Sequence, residues 1–165
     1  MKQSPTDEQL PAGVTRLPSL PFGAAMTIER FALENGLRAL VLADHNAPVV
    51  SFQTWFGVGS SHETKGKTGQ AHLLEHLMFG ATETTPQGVF DRTIESVGGE
   101  SNAATWVDWT AYHDNVPASE LALVMRLEAD RMQNLVLRDP EVDSEKGVVA
   151  SERHDRVEDD VKSKI

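Results

Sequence analysis

The 165-residue sequence contains no cysteine, few aromatic residues and no long apolar run. The absence of cysteine excludes disulfide bonds and thiolate metal ligands, so any metal site must be built from histidine and carboxylate side chains. Without an apolar stretch of about 20 residues, the sequence predicts no membrane span. The N-terminus also lacks a basic segment followed by an apolar one, so we expect no signal peptide and a cytoplasmic location, with the periplasm as the alternative.

Basic residues are scarce relative to acidic ones: 15 Lys and Arg stand against 25 Asp and Glu, a formal net charge of −10. A nucleic-acid-binding protein normally presents a basic patch, and because none occurs here we expect no nucleic-acid partner. The apolar content of 39% is typical of a globular protein, and the chain is long enough for one domain with a hydrophobic core.

The first part of the chain favours β-structure after a leader. Residues 1–24 contain four prolines and little periodicity, which predicts a flexible leader, and we assign residues 25–165 to a single domain. Met26–Leu33 and Leu37–Ala43 flank an Asn-Gly pair, a pattern typical of a β-hairpin. The run Val49–Val58 predicts a third strand because it is rich in β-branched and aromatic residues.

The remainder mixes helical and strand patterns, which predicts an α+β two-layer domain with a mainly antiparallel sheet covered by helices on one face. A helix is predicted over Gln70–Phe79, and a second helix has Pro86 in its first turn and ends at Gly98-Gly99. A strand pair follows over Ser101–Thr105 and Thr110–Val116. The last two predicted elements are a helix over 119–132, with Leu121, Val124, Met125 and Met132 buried, and a helix from Pro140 onward. No stop signal follows the last helix, so we expect this domain to be C-terminally incomplete.

The strongest chemical signal is His72-Leu73-Leu74-Glu75-His76. On a helix, residues i and i+4 share one face, so both imidazoles can bind one zinc ion while Glu75 stands beside a water on that metal. A carboxylate so placed can deprotonate the water. This order of residues is the inverzincin motif. A pair of surface histidines with a neighbouring glutamate is the alternative interpretation.

Catalytic zinc usually takes three protein ligands, and spacing alone leaves the third open. Glu145 and Glu152 share one face of the last predicted helix but stand about 10.5 Å apart along its axis, so one would bind and the other would support. The candidates for the third ligand are Glu95, Glu100, Asp108, His113, Asp114, Glu145, Glu152 and Asp155.

Four blocks of sequence resemble the signatures of one peptidase family. They are Gly66–Phe79, which contains the histidine motif; Gly98–Thr105 with Asp108, Thr110, Tyr112 and Val116-Pro117 after it; Leu127–Met132; and Val148–Arg153. In this order they are similar to the insulinase/pitrilysin (M16) zinc metallopeptidases, specifically to the N-terminal catalytic domain, which this chain would contain in truncated form. The resemblance implies a processing-peptidase-like metallohydrolase fold.

The resemblance also implies roles for individual residues. His72, His76 and Glu152 would bind one zinc ion per chain, Glu75 would be the general base, and Glu145 would support catalysis without binding the metal. Asn102, Ala103 and Thr105 match the edge strand on which the family lays an extended peptide substrate. A second, similar domain or subunit would close over the first like a clamshell, and we therefore expect a chain of this length to need that partner for full activity.

Two functions are alternatives to zinc-dependent peptide hydrolysis. Relatives of the same fold serve as non-catalytic core or peptide-binding subunits, but such subunits typically lose motif residues that are all present here. The S-ribosylhomocysteine lyases also carry an H-x-x-E-H helix, yet they require a cysteine ligand, which this chain lacks. Trp106 and Trp109 flank the predicted hairpin, and we expect cross-strand packing of both rings rather than groove lining.

Overall fold

A computed structural model describes residues 10–154 of the chain, which form strands and helices in two compact units divided between Ala47 and Pro48. Every strand pair within the described residues is antiparallel, as the sequence predicts. The strands make two three-stranded sheets rather than one, and the helices all belong to the second unit. None of the described helices has both the length and the apolar character needed to cross a lipid bilayer.

The first unit contains one antiparallel sheet in the order β1-β2-β3. Its strands are β1 (Val14–Phe22), β2 (Met26–Leu33) and β3 (Arg38–Leu42). The predicted hairpin between β2 and β3 is confirmed. Gly36 has a φ of +90°, which favours glycine, and its N–H donates to the Leu33 carbonyl at 3.0 Å.

The prediction of a flexible leader over residues 1–24 is wrong for Val14–Phe22, which is strand β1. Prolines are tolerated in this strand because β1 is an edge strand of its sheet and because its register with β2 shifts between Leu17 and Leu20, around Pro18. The carbonyl of Pro18 accepts a hydrogen bond from Arg30 Nη1 at 3.4 Å. Residues 1–9 of the predicted leader lie outside the described residues.

The second unit has a sheet in the order β4-β6-β5, whose inner side chains pack against helices. Its elements are β4 (Val49–Phe56), α1 (Gln70–Leu77), α2 (Val89–Ser96), β5 (Glu100–Thr105), β6 (Thr110–Pro117), α3 (Leu121–Asn134) and α4 (Asp139–Arg153). The centre of the core is formed by Phe90, Ile94, Val116 and Val124, with Val50, Phe52 and Leu127 around them.

The start of one helix differs from the sequence prediction. Helix α2 begins at Val89 rather than at Pro86, because Gly88 adopts a left-handed conformation with a φ of +70° immediately before it. Its predicted end is confirmed, since the backbone turns at Gly98 with a φ of +79°. The predicted continuation of α4 to the C-terminus falls on residues 155–165, which lie outside the described part of the chain.

The buried face of α3 is not the one that the apolar pattern predicts. Val124 is fully buried as expected, but Met125 and Met132 are 52% and 43% exposed. Glu128 and Arg131 occupy the buried positions instead, each with 2% exposure. Two opposite charges can take such positions when they pair with each other, and an apolar pattern does not detect that.

A buried ion pair between Arg131 and Glu128 joins α3 to the sheet and to the other core elements. The Arg131 guanidinium lies 4.7 Å from the ring centre of Phe90 and 4.5 Å from that of Tyr112. Thr54 Oγ1 on β4 donates to Glu128 Oε2 at 2.9 Å. One cluster therefore contacts α2, α3, β4 and β6, which fixes the angle at which the helices lie on the sheet.

Asp114 adds a second carboxylate to this cluster, and its own side chain is 1% exposed. Burial first, and then the neighbouring Asp114, raise the pKa of Glu128 to about 7, against the opposing effect of Arg131. Both Asp114 oxygens are buried and accept no hydrogen bond from the described residues. A proton on Glu128 would supply a donor to Asp114, which agrees in direction with the raised pKa of Glu128.

We predict that Glu128→Gln flattens the pH dependence of stability. In the unfolded chain Glu128 titrates near 4.5, and in the folded chain near 7, so the native-state proton stabilises the fold below 4.5 and that stabilisation is lost as the pH rises to about 7. Over this range the free energy of unfolding should fall further in wild type than in the variant, by on the order of 1–3 kcal/mol.

Denaturant titrations followed by tryptophan fluorescence measure this difference, since Trp55, Trp106 and Trp109 all lie in the second unit. Glu83→Gln is the matched control, because the Glu83 side chain is exposed and the bond of this residue to Asn134 is made by its backbone N–H. Parallel pH profiles for wild type and Glu128→Gln would contradict the prediction.

Candidate functional site

The helix α1 presents both motif histidines on one face, towards α4. His72 and His76 are one turn apart, and their rings meet edge to face with centroids 4.7 Å apart. Their Nε2 atoms are separated by 3.2 Å, and both side chains are half-buried. The predicted geometry of the H-x-x-E-H helix is therefore present in the fold.

Glu152 on α4 completes a triangle with the two histidines. Its Oε2 lies 3.4 Å from His72 Nε2 and 3.4 Å from His76 Nε2. Tetrahedral zinc with bonds of about 2.0–2.1 Å separates two ligand atoms by roughly 3.3–3.4 Å. The three atoms thus stand at the spacing of three corners of a zinc coordination tetrahedron, with the fourth corner left for water or substrate.

Glu145 lies on the opposite side of the His76 ring from this triangle. Its Oε2 is 3.3 Å from His76 Nδ1, whereas His76 Nε2 faces His72 and Glu152. A carboxylate that accepts the Nδ1 proton holds the lone pair of the neutral ring on Nε2, where a metal needs it. The structure therefore places Glu152 beside the two Nε2 atoms and Glu145 beside Nδ1 of His76.

Glu75 is buried on α1, and a threonine from the sheet holds its carboxylate. Thr105 Oγ1, at the end of β5, donates to Glu75 Oε2 at 2.5 Å. Thr105 in turn lies 3.2 Å from Thr110 Oγ1, which donates to the carbonyl of Val58 at 2.9 Å. These contacts hold the Glu75 carboxylate in the cleft that His72 and His76 also line.

The site opens into a cleft of about 1010 Å³ along strand β5. Asn102, Ala103 and Thr105 all line it, and β5 is an edge strand of the described sheet. The side chain of Thr105 is committed to Glu75, as described above. Asn102 Oδ1 accepts the N–H of Ala103 at 2.8 Å, so this backbone donor is bonded to its neighbour's side chain.

The remaining third-ligand candidates do not join the histidines. Within residues 10–154, His72, His76 and Glu152 form the one group of three side chains close enough to share a metal ion. Asp114 belongs to the buried cluster with Glu128, and His113 lies on β6 opposite Asn102. Asp155 lies outside the described residues.

Two residues near the site, Trp106 and Glu63, have contacts that the sequence does not predict. Trp106 is 64% exposed and lines the cleft, against the expectation of cross-strand packing, while Trp109 does pack on Trp55 with ring centres 4.9 Å apart. Glu63 was not singled out, yet its carboxylate accepts two backbone N–H groups at the start of α1. The sequence signal was a glutamate shortly before a helix that has no acidic residue in its first turn.

Comparison with known proteins gives one consistent family. Residues 38–164 match the model described as insulinase (peptidase family M16). The chain is 37% identical over 131 residues to the zinc protease PqqE of Helicobacter pylori, covering 79% of this chain and 30% of that protein. It is 33% identical over 120 residues to cytochrome b-c1 complex subunit 1 of rat mitochondria, covering 73% of this chain and 25% of that protein.

A solved structure shows the same fold. The crystal structure of a protease from Helicobacter pylori superposes with a TM-score of 0.80 at 35% identity, over 82% of this chain and 33% of that one. The chain therefore spans about a third or less of the length of these relatives. Because one of them is named a zinc protease and another a respiratory-complex subunit, the comparisons establish the fold and family rather than catalysis.

We predict that Glu145→Gln weakens zinc binding by about 10-fold without abolishing it, because partners that orient a metal-binding histidine typically contribute a factor of about 10–100. Calorimetric titration of the purified chain with zinc measures the affinity. Asp143→Asn is the matched control, since Asp143 lies on the same helix and pairs only with Lys146 among the described residues. Equal affinities for Glu145→Gln and Asp143→Asn would contradict the orienting role.

Proposed function

This chain belongs to the insulinase family of peptidases, M16, and from that premise we propose that it carries the zinc-binding and water-activating part of a metalloendopeptidase. The observation that supports this most directly is the triangle of His72, His76 and Glu152, whose three facing atoms are 3.2–3.4 Å apart. Two neutral imidazoles and one carboxylate, with no thiolate, are a donor set that suits catalytic zinc.

When bound, zinc would supply Lewis acidity, polarising the scissile carbonyl and lowering the pKa of a water in the open position. Glu75 accepts the proton of the attacking water and later returns it to the leaving amine. Thr105 keeps the Glu75 carboxylate in place throughout, because its hydroxyl donates to Oε2. Glu145 keeps His76 in the tautomer that leaves Nε2 free.

The substrate in this proposal is an extended peptide added to the edge of β5. Asn102 Oδ1 now accepts the Ala103 N–H, and a peptide carbonyl would take its place as acceptor. Because such binding uses main-chain groups, we expect selectivity for extended or unfolded segments more than for one sequence. Trp106 lies beside this edge and offers an apolar surface to a substrate side chain.

A second domain or subunit is part of the proposal because the described lining of the cleft carries negative charge and no Lys or Arg side chain. Its described lining includes five carboxylates, from Glu75, Asp91, Glu141, Glu145 and Glu152, and no lysine or arginine. The oxyanion that forms during peptide hydrolysis needs preorganised positive donors in addition to the metal. A partner that closes over the cleft would bring them, and the relatives are three to four times longer than the matched region.

The alternative function is that of a non-catalytic, peptide-binding core subunit. The similarity to cytochrome b-c1 complex subunit 1 favours it, since that protein is named as part of a respiratory complex. The retention of both histidines, Glu75 and Glu152 favours the peptidase, because a scaffold does not require a metal triangle with a general base beside it.

Metal content and catalysis are separated by a pair of variants. Wild type should contain about one zinc per chain by elemental mass spectrometry, and Glu152→Ala should lose it, because two histidines leave the ion with too few ligands. Glu75→Gln should retain the zinc, since Glu75 accepts a bond from Thr105 and is not among the three side chains close enough to share the ion. Well-folded wild type without zinc would contradict the proposal.

Catalysis is measured by cleavage of a quenched fluorescent peptide library. The chain is assayed alone and together with a second domain or subunit that completes the cleft. Glu75→Gln should lose activity by at least about 100-fold, as expected for removal of a general base. Asn102→Ala, by contrast, should change KM more than kcat because it alters the peptide-binding edge. Activity in Glu75→Gln equal to wild type would exclude the mechanism, and zinc binding without cleavage in any assembled form would favour the core-subunit alternative.

A further inference from the structure

The helix that carries the histidines is too short to set its own position. α1 spans eight residues, Gln70–Leu77, and isolated helices of about two turns are unstable in water. Gly69 precedes it with a φ of +94° and offers no side chain for capping, and the first helical turn contains no acidic residue. The start of α1, two residues before His72, must therefore be held from outside the helix.

Glu63 provides this support with both carboxylate oxygens. Oε2 accepts the N–H of Gly69 and Oε1 accepts the N–H of Ala71, each at 2.8 Å. Two of the four otherwise unpaired N–H groups at the helix start are thereby satisfied, and a negative charge lies at the positive end of the helix dipole. Ala71 is the residue directly before His72, so the bridge ends next to a motif histidine.

Glu63 is itself fastened to the connection between β5 and β6. It follows the short 3-10 turn Ser60–His62, in which the N–H of Ser60 donates to Trp106 O at 3.0 Å and that of Ser61 to Val107 O at 2.7 Å. Any side chain at Gly59 would place its Cβ 2.3 Å from Trp106 O, so only glycine permits this approach. The backbone that carries Glu63 therefore has a fixed distance from the hairpin.

We propose that Glu63 is a positioning residue for the metal site, which transmits the location of the β5–β6 hairpin to His72. The hairpin then reaches α1 at two points: through Thr105 to Glu75 in the last turn of the helix, and through Glu63 at its start. Two attachments fix both the rotation and the translation of α1 relative to the peptide-binding edge. This inference rests on the proposed function, because it assumes that the histidines bind zinc.

The test is zinc affinity in Glu63→Gln, measured by calorimetry at a temperature well below the unfolding transition. Glutamine keeps the shape of the side chain but replaces one acceptor oxygen with an NH₂ group, which cannot accept the second N–H. We expect a loss of affinity of about 10-fold, at the low end of the range for groups that orient metal ligands. In the zinc-free protein, amide hydrogen exchange at Gly69 or Ala71 should be faster than in wild type.

Two further variants sharpen the result. Glu83→Gln removes the same charge from an exposed side chain and leaves the backbone bond from Glu83 to Asn134 in place, so it should bind zinc as wild type does. Glu63→Asp retains the charge but is one methylene shorter, so it cannot span both amides and should also weaken binding; it serves if Glu63→Gln does not fold.

The possible failures are distinguishable. Wild-type zinc affinity in Glu63→Gln, even with a lower unfolding temperature, would show that Glu63 only caps the helix and would overturn the positioning role alone. Absence of zinc binding in wild type would overturn the proposed function, and this inference with it.

Discussion

The arrangement of the second unit depends on the buried guanidinium of Arg131. It pairs with Glu128 and lies over the rings of Phe79, Phe90 and Tyr112, which come from three different segments of the chain. A buried charge is tolerated only where its partners surround it, so its requirements restrict the packing of helices on the sheet more strongly than apolar contacts do. Phe79 lies two residues beyond the end of α1, and this places the end of the histidine helix close to the cluster.

The candidate metal site gathers negative charge, whereas the Arg131 cluster is built around a positive one. Glu145 and Glu152 project from the same face of α4, and Glu75 lies buried nearby on α1. Glu75 accepts a hydrogen bond from Thr105, and the carboxylates of Glu145 and Glu152 lie within 3.4 Å of histidine ring nitrogens. These three acids therefore each have a polar neighbour in the cleft.

Part of the fold and part of the candidate site are predictable from the sequence, because the rules that govern them are local. The spacing of His72 and His76 implies a shared helix face, and the Asn-Gly pair implies a hairpin, since both rules are local. The choice of Glu152 over Glu145 depends on how α1 and α4, which are far apart in the sequence, lie side by side, so it follows from the family resemblance and not from spacing. The buried face of α3 was misread because Glu128 and Arg131 neutralise each other there, and β1 because prolines are acceptable at a sheet edge.

The open edge of β5 has a consequence for the behaviour of the protein in solution. An unpaired strand edge offers backbone donors and acceptors to any extended chain, including another copy of the same protein, so such an edge favours self-association. The contact between Asn102 Oδ1 and the Ala103 N–H removes one donor from that edge while no other strand is bound. The Asn102 side chain thus limits aggregation while β5 has no added strand. A strand that adds to β5 must offer the Ala103 N–H a better acceptor than Asn102 Oδ1.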